Sequence, residues 1–216
     1  MASVPLNPKI YHITHVDNLA QIVRQGGLWS DAKLIELGLE REVIGISSIK
    51  ARRLTEIAVK CHPGTVVGQY VPFYLCMRSI MLYILHMGNH PDLVYHGGQA
   101  PIVHLVADLR ATAAWAEDQK RTWAFSNCNA GTRYADFYDD LDCLDKVDWD
   151  AVGARDFRQP AVKEGKQAEF LVFESFPWQL VERIGAFDAS VAGRVQALLG
   201  GAVHQPAISV ERSWYF

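Results

Sequence analysis

One carboxylate constrains this chain more than any other single feature. In the run Lys166-Gln167-Ala168-Glu169-Phe170-Leu171-Val172-Phe173, an ionisable group heads a segment that otherwise reads as a buried strand. Four of the five residues from Phe170 to Glu174 are apolar, with aromatic and β-branched side chains among them. Glutamate is rarely fully buried unless something pairs with it. Glu169 therefore either points into water at a strand end or has a partner and a chemical task. The segment alone leaves both open.

With 216 residues, 50% of them hydrophobic and 21% charged, a sizeable core is expected, in one large domain or two small ones. No uncharged apolar run is long enough to span a membrane, and Met1-Ala2-Ser3-Val4-Pro5 lacks a basic segment leading into an apolar core. Neither a membrane span nor a secretory signal is expected, and the predicted location is cytoplasmic. Cys61, Cys76, Cys128 and Cys143 show no CxxC spacing and read as buried or incidental thiols.

The net charge of −3 argues against broad, non-specific duplex binding. Charge is uneven along the chain, however. Residues 41–80 carry Arg41, Lys50, Arg52, Arg53, Lys60 and Arg78 against Glu42 and Glu56. Residues 136–156 carry eight acids against Lys146 and Arg155. The acidic stretch reads as a solvated surface, and without other evidence so does the basic one, although a local groove for a polyanion fits it too.

Tyr11-His12-Ile13-Thr14 reads as a strand, followed by Asp17 as an N-cap, a helix through Leu19, Ile22 and Val23, and a stop at Gly26-Gly27. Residues 30–42 suit a short helix or an ordered loop, and 60–68 a loop. Pro72 puts the strand 71–75 at a sheet edge or a strand start. Ile102 to Val106 is a core strand containing His104, which reads as a satisfied core histidine. Residues 126–167 show little periodicity, and so long a stretch between core strands is usually functional or mobile. A short helix over Trp178–Arg183, a helix over Ser190–Leu199 and a strand over Ala207–Val210 complete one α+β domain spanning 1–216.

No GxGxxG or GxxxxGK[ST] motif is present, so any nucleotide is held in neither the Rossmann nor the P-loop manner. His86 and His90 have ligand spacing, but Gly88 and Pro91 interrupt the helix and no third ligand lies nearby, so no metal is expected.

Six segments, in order, resemble the DarT family of DNA ADP-ribosyltransferase toxins from DarT–DarG toxin–antitoxin systems. They are Tyr11-His12-Ile13-Thr14-His15-Val16-Asp17-Asn18-Leu19; Ile49-Lys50-Ala51-Arg52-Arg53; the stretch from Val71-Pro72-Phe73-Tyr74 through Arg78-Ser79 to Met81-Leu82-Tyr83; Gly97 to Leu105; Gln167 to Val172; and Trp214-Tyr215-Phe216. The resemblance implies a split, mainly antiparallel sheet with flanking helices and NAD as co-substrate in a central cleft. It implies Glu169 and Arg53 as catalytic residues and His12, Thr14, Asn18, Tyr74 and Met81 as NAD contacts. DNA contacts are implied at Arg52, Arg78, Ser126, Asn129 and Lys163, with a substrate-reading loop within about 126–166. Single-stranded DNA and a macrodomain antitoxin are the implied partners, in a toxin and phage-defence setting.

The chemistry suits these residue types. Nicotinamide leaves through an oxocarbenium-like transition state, as in glycoside cleavage, and a carboxylate stabilises that charge or accepts a proton from the attacking base. A guanidinium steadies a base as it loses its proton, or holds a phosphate. The chain departs from the thymine-modifying members at Val67-Gly68-Gln69, at Met77-Arg78-Ser79-Ile80 and at Asn129, which stands at a histidine position. The NAD-side motifs persist while the base-side ones change, which favours guanine slightly over thymine. A transferase of the same fold acting on RNA or protein, and a non-catalytic NAD- or DNA-binding module, are the alternatives.

Overall fold

The central strands are buried almost along their whole length, so one large sheet is covered on both faces and side-chain parity sorts its residues between them. The computed structural model describes residues 3–216, so the first two residues of the 1–216 domain expected from the sequence lie outside the described residues. In chain order the elements are β1 (Lys9–His15), α1 (Leu19–Arg24), β2 (Gly27–Trp29), α2 (Asp31–Glu36), α3 (Ser47–Thr55), β3 (Tyr70–Tyr74), α4 (Ile80–Met87), β4 (Ile102–Asp108) and α5 (Leu109–Asp118). There follow β5 (Trp123–Asn129), β6 (Phe137–Tyr138), α6 (Trp149–Gly153), α7 (Pro160–Gly165), β7 (Ala168–Phe173), β8 (Ser175–Pro177), β9 (Arg183–Ala186), α8 (Ala189–Leu199) and β10 (Ala207–Val210).

Eight strands form one sheet in the order β10-β9-β4-β1-β3-β7-β5-β6, and β2 pairs with β8 separately. All pairs are antiparallel except β10 on β9. β1 follows β4 from Lys9↔Asp108 to His15↔Ile102, and β3 follows β7 from Tyr70↔Phe173 to Tyr74↔Glu169. Between these halves β1 and β3 share one register pair, Tyr11↔Tyr74. The sheet is thus split at its middle.

Period-two alternation assigns the faces. On one face Ile10, Val103, Leu105, Val71, Phe73, Phe170 and Val172 join the largest apolar cluster. The opposite face carries two smaller clusters, one around Tyr70, Ala124 and Leu171 and one around Ile13, Leu82, Ile102 and Tyr215. Glu169 is on this second face by parity with Leu171. α4 covers part of it, starting at Ser79, whose hydroxyl accepts the Leu82 N–H, and ending at Gly88 in the left-handed region (φ 61°).

Several sequence expectations require correction. β3 is a central strand and not an edge strand. The Pro72 carbonyl accepts from His12 on β1, and a residue's N–H and C=O point the same way across a strand, so its missing N–H faces the split where few ladder bonds form. Asp17 is not the N-cap: it sits inside the 3₁₀ turn Val16–Asn18, whose cap is His15. Trp178 to Arg183 is one 3₁₀ turn, Trp178–Leu180, running into β9, because Trp178 is pinned through Nε1 to the His204 carbonyl. The stretch 126–166 contains β6, α6, α7 and a 3₁₀ turn at Leu141–Lys146, while its acids from Asp136 to Asp156 are exposed as expected. No helix among the described residues is long and apolar enough to cross a membrane.

Candidate active site

Glu169 is 3% exposed, and its partner is Arg53 from the last turn of α3. Arg53 Nη1 donates to Oε1 at 3.0 Å and Nη2 to Oε2 at 2.8 Å, a two-pronged charge-assisted pair. The Ala130 N–H donates to Oε1 at 3.2 Å. Burial opposes the charge on Arg53, but Glu169 outweighs it and holds the guanidinium above its ordinary value.

A bulge sets this geometry. β5 pairs with β7 in regular register up to Phe125↔Phe170, then shifts to reach Asn129↔Ala168. Such an insertion leaves ladder groups unpaired and re-aims side chains. The Ser126 hydroxyl fills the gap, accepting the Glu169 N–H at 3.1 Å and donating to the Cys128 carbonyl at 2.6 Å. Beyond the bulge the Asn129 side chain turns into the cleft. Its Nδ2 donates to Gln167 Oε1 at 3.0 Å, and its Oδ1 accepts the Gly131 N–H at 2.8 Å.

Two adjoining chambers open beside this pair. One, of about 150 Å³, is lined by Arg53, Glu169, Asn129, Gln167, Ile49 and Ile84 among others. The second, of about 110 Å³, is lined by His12, Thr14, Asn18, Trp29 and Arg41 among others. Asp31, Gly45, Lys50, Pro72, Tyr74 and Met81 belong to both. Burial, and then the Glu169 charge, push the Tyr74 phenol above its ordinary value, so it remains un-ionised at neutral pH. His12 Nδ1 donates to the Pro72 carbonyl at 2.8 Å, and burial pulls its pKa down to about 4. The imidazole is neutral at pH 7, and Nε2 keeps a free lone pair.

The predicted site residues divide clearly. Glu169, Arg53, Tyr74, Met81 and Asn129 converge on the first chamber, and His12, Thr14 and Asn18 on the second. Asn18 is largely occupied: its Nδ2 donates to Thr14 Oγ1 and the Glu42 carbonyl, and its Oδ1 accepts the Glu42 N–H. It therefore fixes the 37–46 segment over the second chamber. Ser126 is a correction, because at 0% exposure with both hydroxyl roles spent inside the bulge it positions Glu169 and does not reach a ligand.

Arg52 is exposed and donates to the Gly131 carbonyl at 3.3 Å. Arg78 lies apart, its guanidinium 4.2 Å over the Phe216 ring and its Nε without a partner. Lys163 is exposed on α7. Sequence reasoning missed Asp31 and Gln167 as site residues and left Arg41 and Lys50 between a solvated face and a local groove for a polyanion; all four line the chambers. His104 is a satisfied core residue as expected, with Nε2 on the Met77 carbonyl. Cys61, His62 and Asp139 bring ligand-type atoms within 4.8 Å, but His62 Nε2 already meets the Trp123 carbonyl, and burial with Asp139 pushes the Cys61 thiol up to about 11.

The family model described as ssDNA thymidine ADP-ribosyltransferase, DarT, matches residues 11–216. The chain belongs to the DarT family. It is 36% identical to a Thermus aquaticus protein named DNA ADP-ribosyl transferase, over 98% of this chain and 90% of that one. Among solved structures it is similar to Thermus sp. 2.9 DarT in complex with ADP-ribosylated ssDNA (34% identity, TM-score 0.89, covering 100% of this chain and 99% of that one). The same protein's complex with NAD+ superposes with a TM-score of 0.82 at 32% identity, covering 99% and 100% of the two chains. The α+β architecture with its split sheet is that of the DarT DNA ADP-ribosyltransferases.

Proposed function

We propose that this chain transfers ADP-ribose from NAD to a guanine base in single-stranded DNA and releases nicotinamide. The observation that carries the reading is the Arg53–Glu169 pair in the wall of a chamber that also holds Tyr74 and Asn129. As the bond from the anomeric carbon to the nicotinamide nitrogen breaks, positive charge builds on the ribose, and the Glu169 carboxylate stabilises it. A base nitrogen then forms the new bond to that carbon and gives its proton to Glu169. Arg53 holds the carboxylate in place and offers positive charge to a base losing its proton. Tyr74 and Met81 flank the nicotinamide end, and the neutral His12 accepts from a ribose hydroxyl in the second chamber.

The whole 1–216 domain serves this transfer, with 126–166 reading the substrate. Asn129, tethered to Gln167, presents an amide beside Glu169, and an amide both donates to and accepts from a guanine edge. Arg52, bonded to the Gly131 carbonyl, together with Arg78 and the exposed Lys163, supplies charge to the strand backbone. A flipped or unpaired base is needed because duplex bases are stacked and extruding one costs a few kcal/mol. Thymine is the second reading, favoured by the thymidine in the family description. As a DarT member the chain acts as the toxin of a pair whose macrodomain partner removes the mark.

The test uses oligonucleotides containing adenine and one other base, incubated with protein and NAD. The single-guanine strand is expected to gain ADP-ribose by mass, while the single-thymine strand and an RNA copy remain unmodified. Modification of the thymine strand alone refutes the guanine reading. Intact NAD with every strand refutes the transfer.

A further inference from the structure

The cations of residues 41–53 do not all serve Glu169. Arg41 Nη2 and Lys50 Nζ converge on one oxygen, Oδ1 of Asp31, with Lys50 at 3.2 Å. The three side chains are only 23–26% exposed. Two cations on one carboxylate leave a positive charge in excess, in a place partly withdrawn from water, where an uncompensated charge is costly. Burial, and then Arg41, depress the Lys50 pKa in spite of Asp31, so the cluster is under-compensated. Burial works to raise the Asp31 carboxyl, but Arg41 and Lys50 outweigh it and hold it in its charged form. Arg53 does not share this role, because both of its Nη atoms are engaged by Glu169.

Position says what the excess charge is for. Asp31 and Lys50 stand in the wall common to both chambers, and Arg41 stands in the second. The reacting ribose belongs beside Glu169, and the neutral His12 with Thr14 and Trp29 suits an uncharged nucleoside. What links the two parts of such a ligand has to cross the shared wall. We propose that Arg41 and Lys50 form the seat for the diphosphate of NAD, with Asp31 as the residue that positions both cations. This rests on the NAD reading of the cleft given above. The phosphoryl oxygens take charge-assisted hydrogen bonds from the two side chains, while Asp31 keeps them in place when the site is empty.

Calorimetric titration of the purified protein with NAD, ADP and adenosine tests this without relying on turnover. Wild type is expected to bind ADP much more tightly than adenosine. Arg41→Gln and Lys50→Gln should each lose about tenfold to hundredfold in ADP and NAD affinity, the range for one hydrogen bond to a charged group. Adenosine affinity should stay within about twofold, which also shows that the variants are folded. Arg41→Lys and Lys50→Arg should recover most of the loss. Asp31→Asn should weaken ADP binding in the native background and have no further effect once Arg41 and Lys50 are both Gln, a non-additivity that a structural role would not produce.

Unchanged ADP affinity in both Gln variants overturns the seat, and so does parallel loss of ADP and adenosine. A wild-type protein that does not prefer ADP to adenosine overturns it as well. If wild type binds ADP through Arg41 and Lys50 yet modifies no DNA, the seat stands and the transfer reading falls.

Discussion

Replacing Glu169 with Gln changes one atom and removes one charge, so its effects on stability and on chemistry can be read separately. Arg53 and Glu169 have side chains 14% and 4% exposed, and breaking so buried a pair costs about 3–5 kcal/mol. The amide retains one acceptor oxygen for Arg53, which places the cost near the lower limit, about 3 kcal/mol. For a chain of 216 residues that lowers the melting temperature by roughly 6–12 °C. ADP-ribose transfer should fall by at least about 10²–10³, the loss typical of one transition-state electrostatic partner. Thermal melts by circular dichroism and a gel-shift transfer assay provide the two readouts. Arg53→Gln combined with Glu169→Gln should be less unstable than the sum of the single changes by about 1 kcal/mol or more, because neither charge is then orphaned. A Glu169→Gln protein that melts lower but turns over normally would show that another carboxylate does the chemistry. One unchanged in both respects would refute the buried pair itself.

Gly27→Ala tests the β2–β8 pairing: Gly27 has φ 155°, and a Cβ there would stand 2.0 Å from the Phe176 carbonyl oxygen. The variant should lose several kcal/mol, measurable in urea titration; near-native stability would show that β2 does not run so close to β8. The buried His104, with its pKa pulled down to about 4 by burial, should make stability depend on pH. Its folded pKa lies below its unfolded value of about 6.5, so its contribution is complete above pH 6.5 and is lost as pH falls towards 4, by roughly 3 kcal/mol. Urea titrations across that window should show the acid limb, and His104→Gln should flatten it by about one proton.

The apolar strands were legible because packing leaves a pattern in sequence. Ile102–Val106, Phe170–Phe173 and Ala207–Val210 are short apolar or alternating runs, and β4, β7 and β10 follow them. α3 left no such pattern, since none of its residues is buried and its inward side chain is the charged Arg53. α5 buries Leu109, Thr112, Ala113 and Ala116, and one large apolar residue among small ones does not stand out as an apolar stripe. The bulge that turns Asn129 inward is a property of register between β5 and β7, which neither strand encodes alone. Ser126 looked like a substrate contact for the same reason: its neighbours place it in the right region, and only the bulge shows that its hydroxyl is already spent. Glu169 and Arg53 entered as candidates through motif resemblance, and their mutual pairing emerged only with the fold.

The charges of the cleft give this arrangement a direction. Among the buried and half-buried charges, Arg41, Lys50 and Arg53 stand against Asp31 and Glu169, leaving one positive charge in excess when nothing is bound, while the exposed Glu42 on the second chamber's wall is screened by solvent. His12 and Tyr74 add none, since burial keeps both neutral. NAD on the proposed path brings two phosphate charges and one nicotinium charge, a net of about −1, and the filled cleft is balanced. On the proposed mechanism, positive charge moves onto the ribose beside Glu169 as the nicotinium bond breaks, so the balance persists into the transition state while the charge shifts towards the carboxylate. Once nicotinamide has left and the base has surrendered its proton, the diphosphate remains without that positive charge. While Glu169 holds that proton, the two positive charges then left in the cleft still match the diphosphate. Once the carboxylate passes the proton to water, the product carries one negative charge more than the cleft can offset, and a half-buried site holds an unmatched charge poorly. Ligand exchange thus runs downhill in electrostatics from NAD to product release, without a moving part having to be invoked.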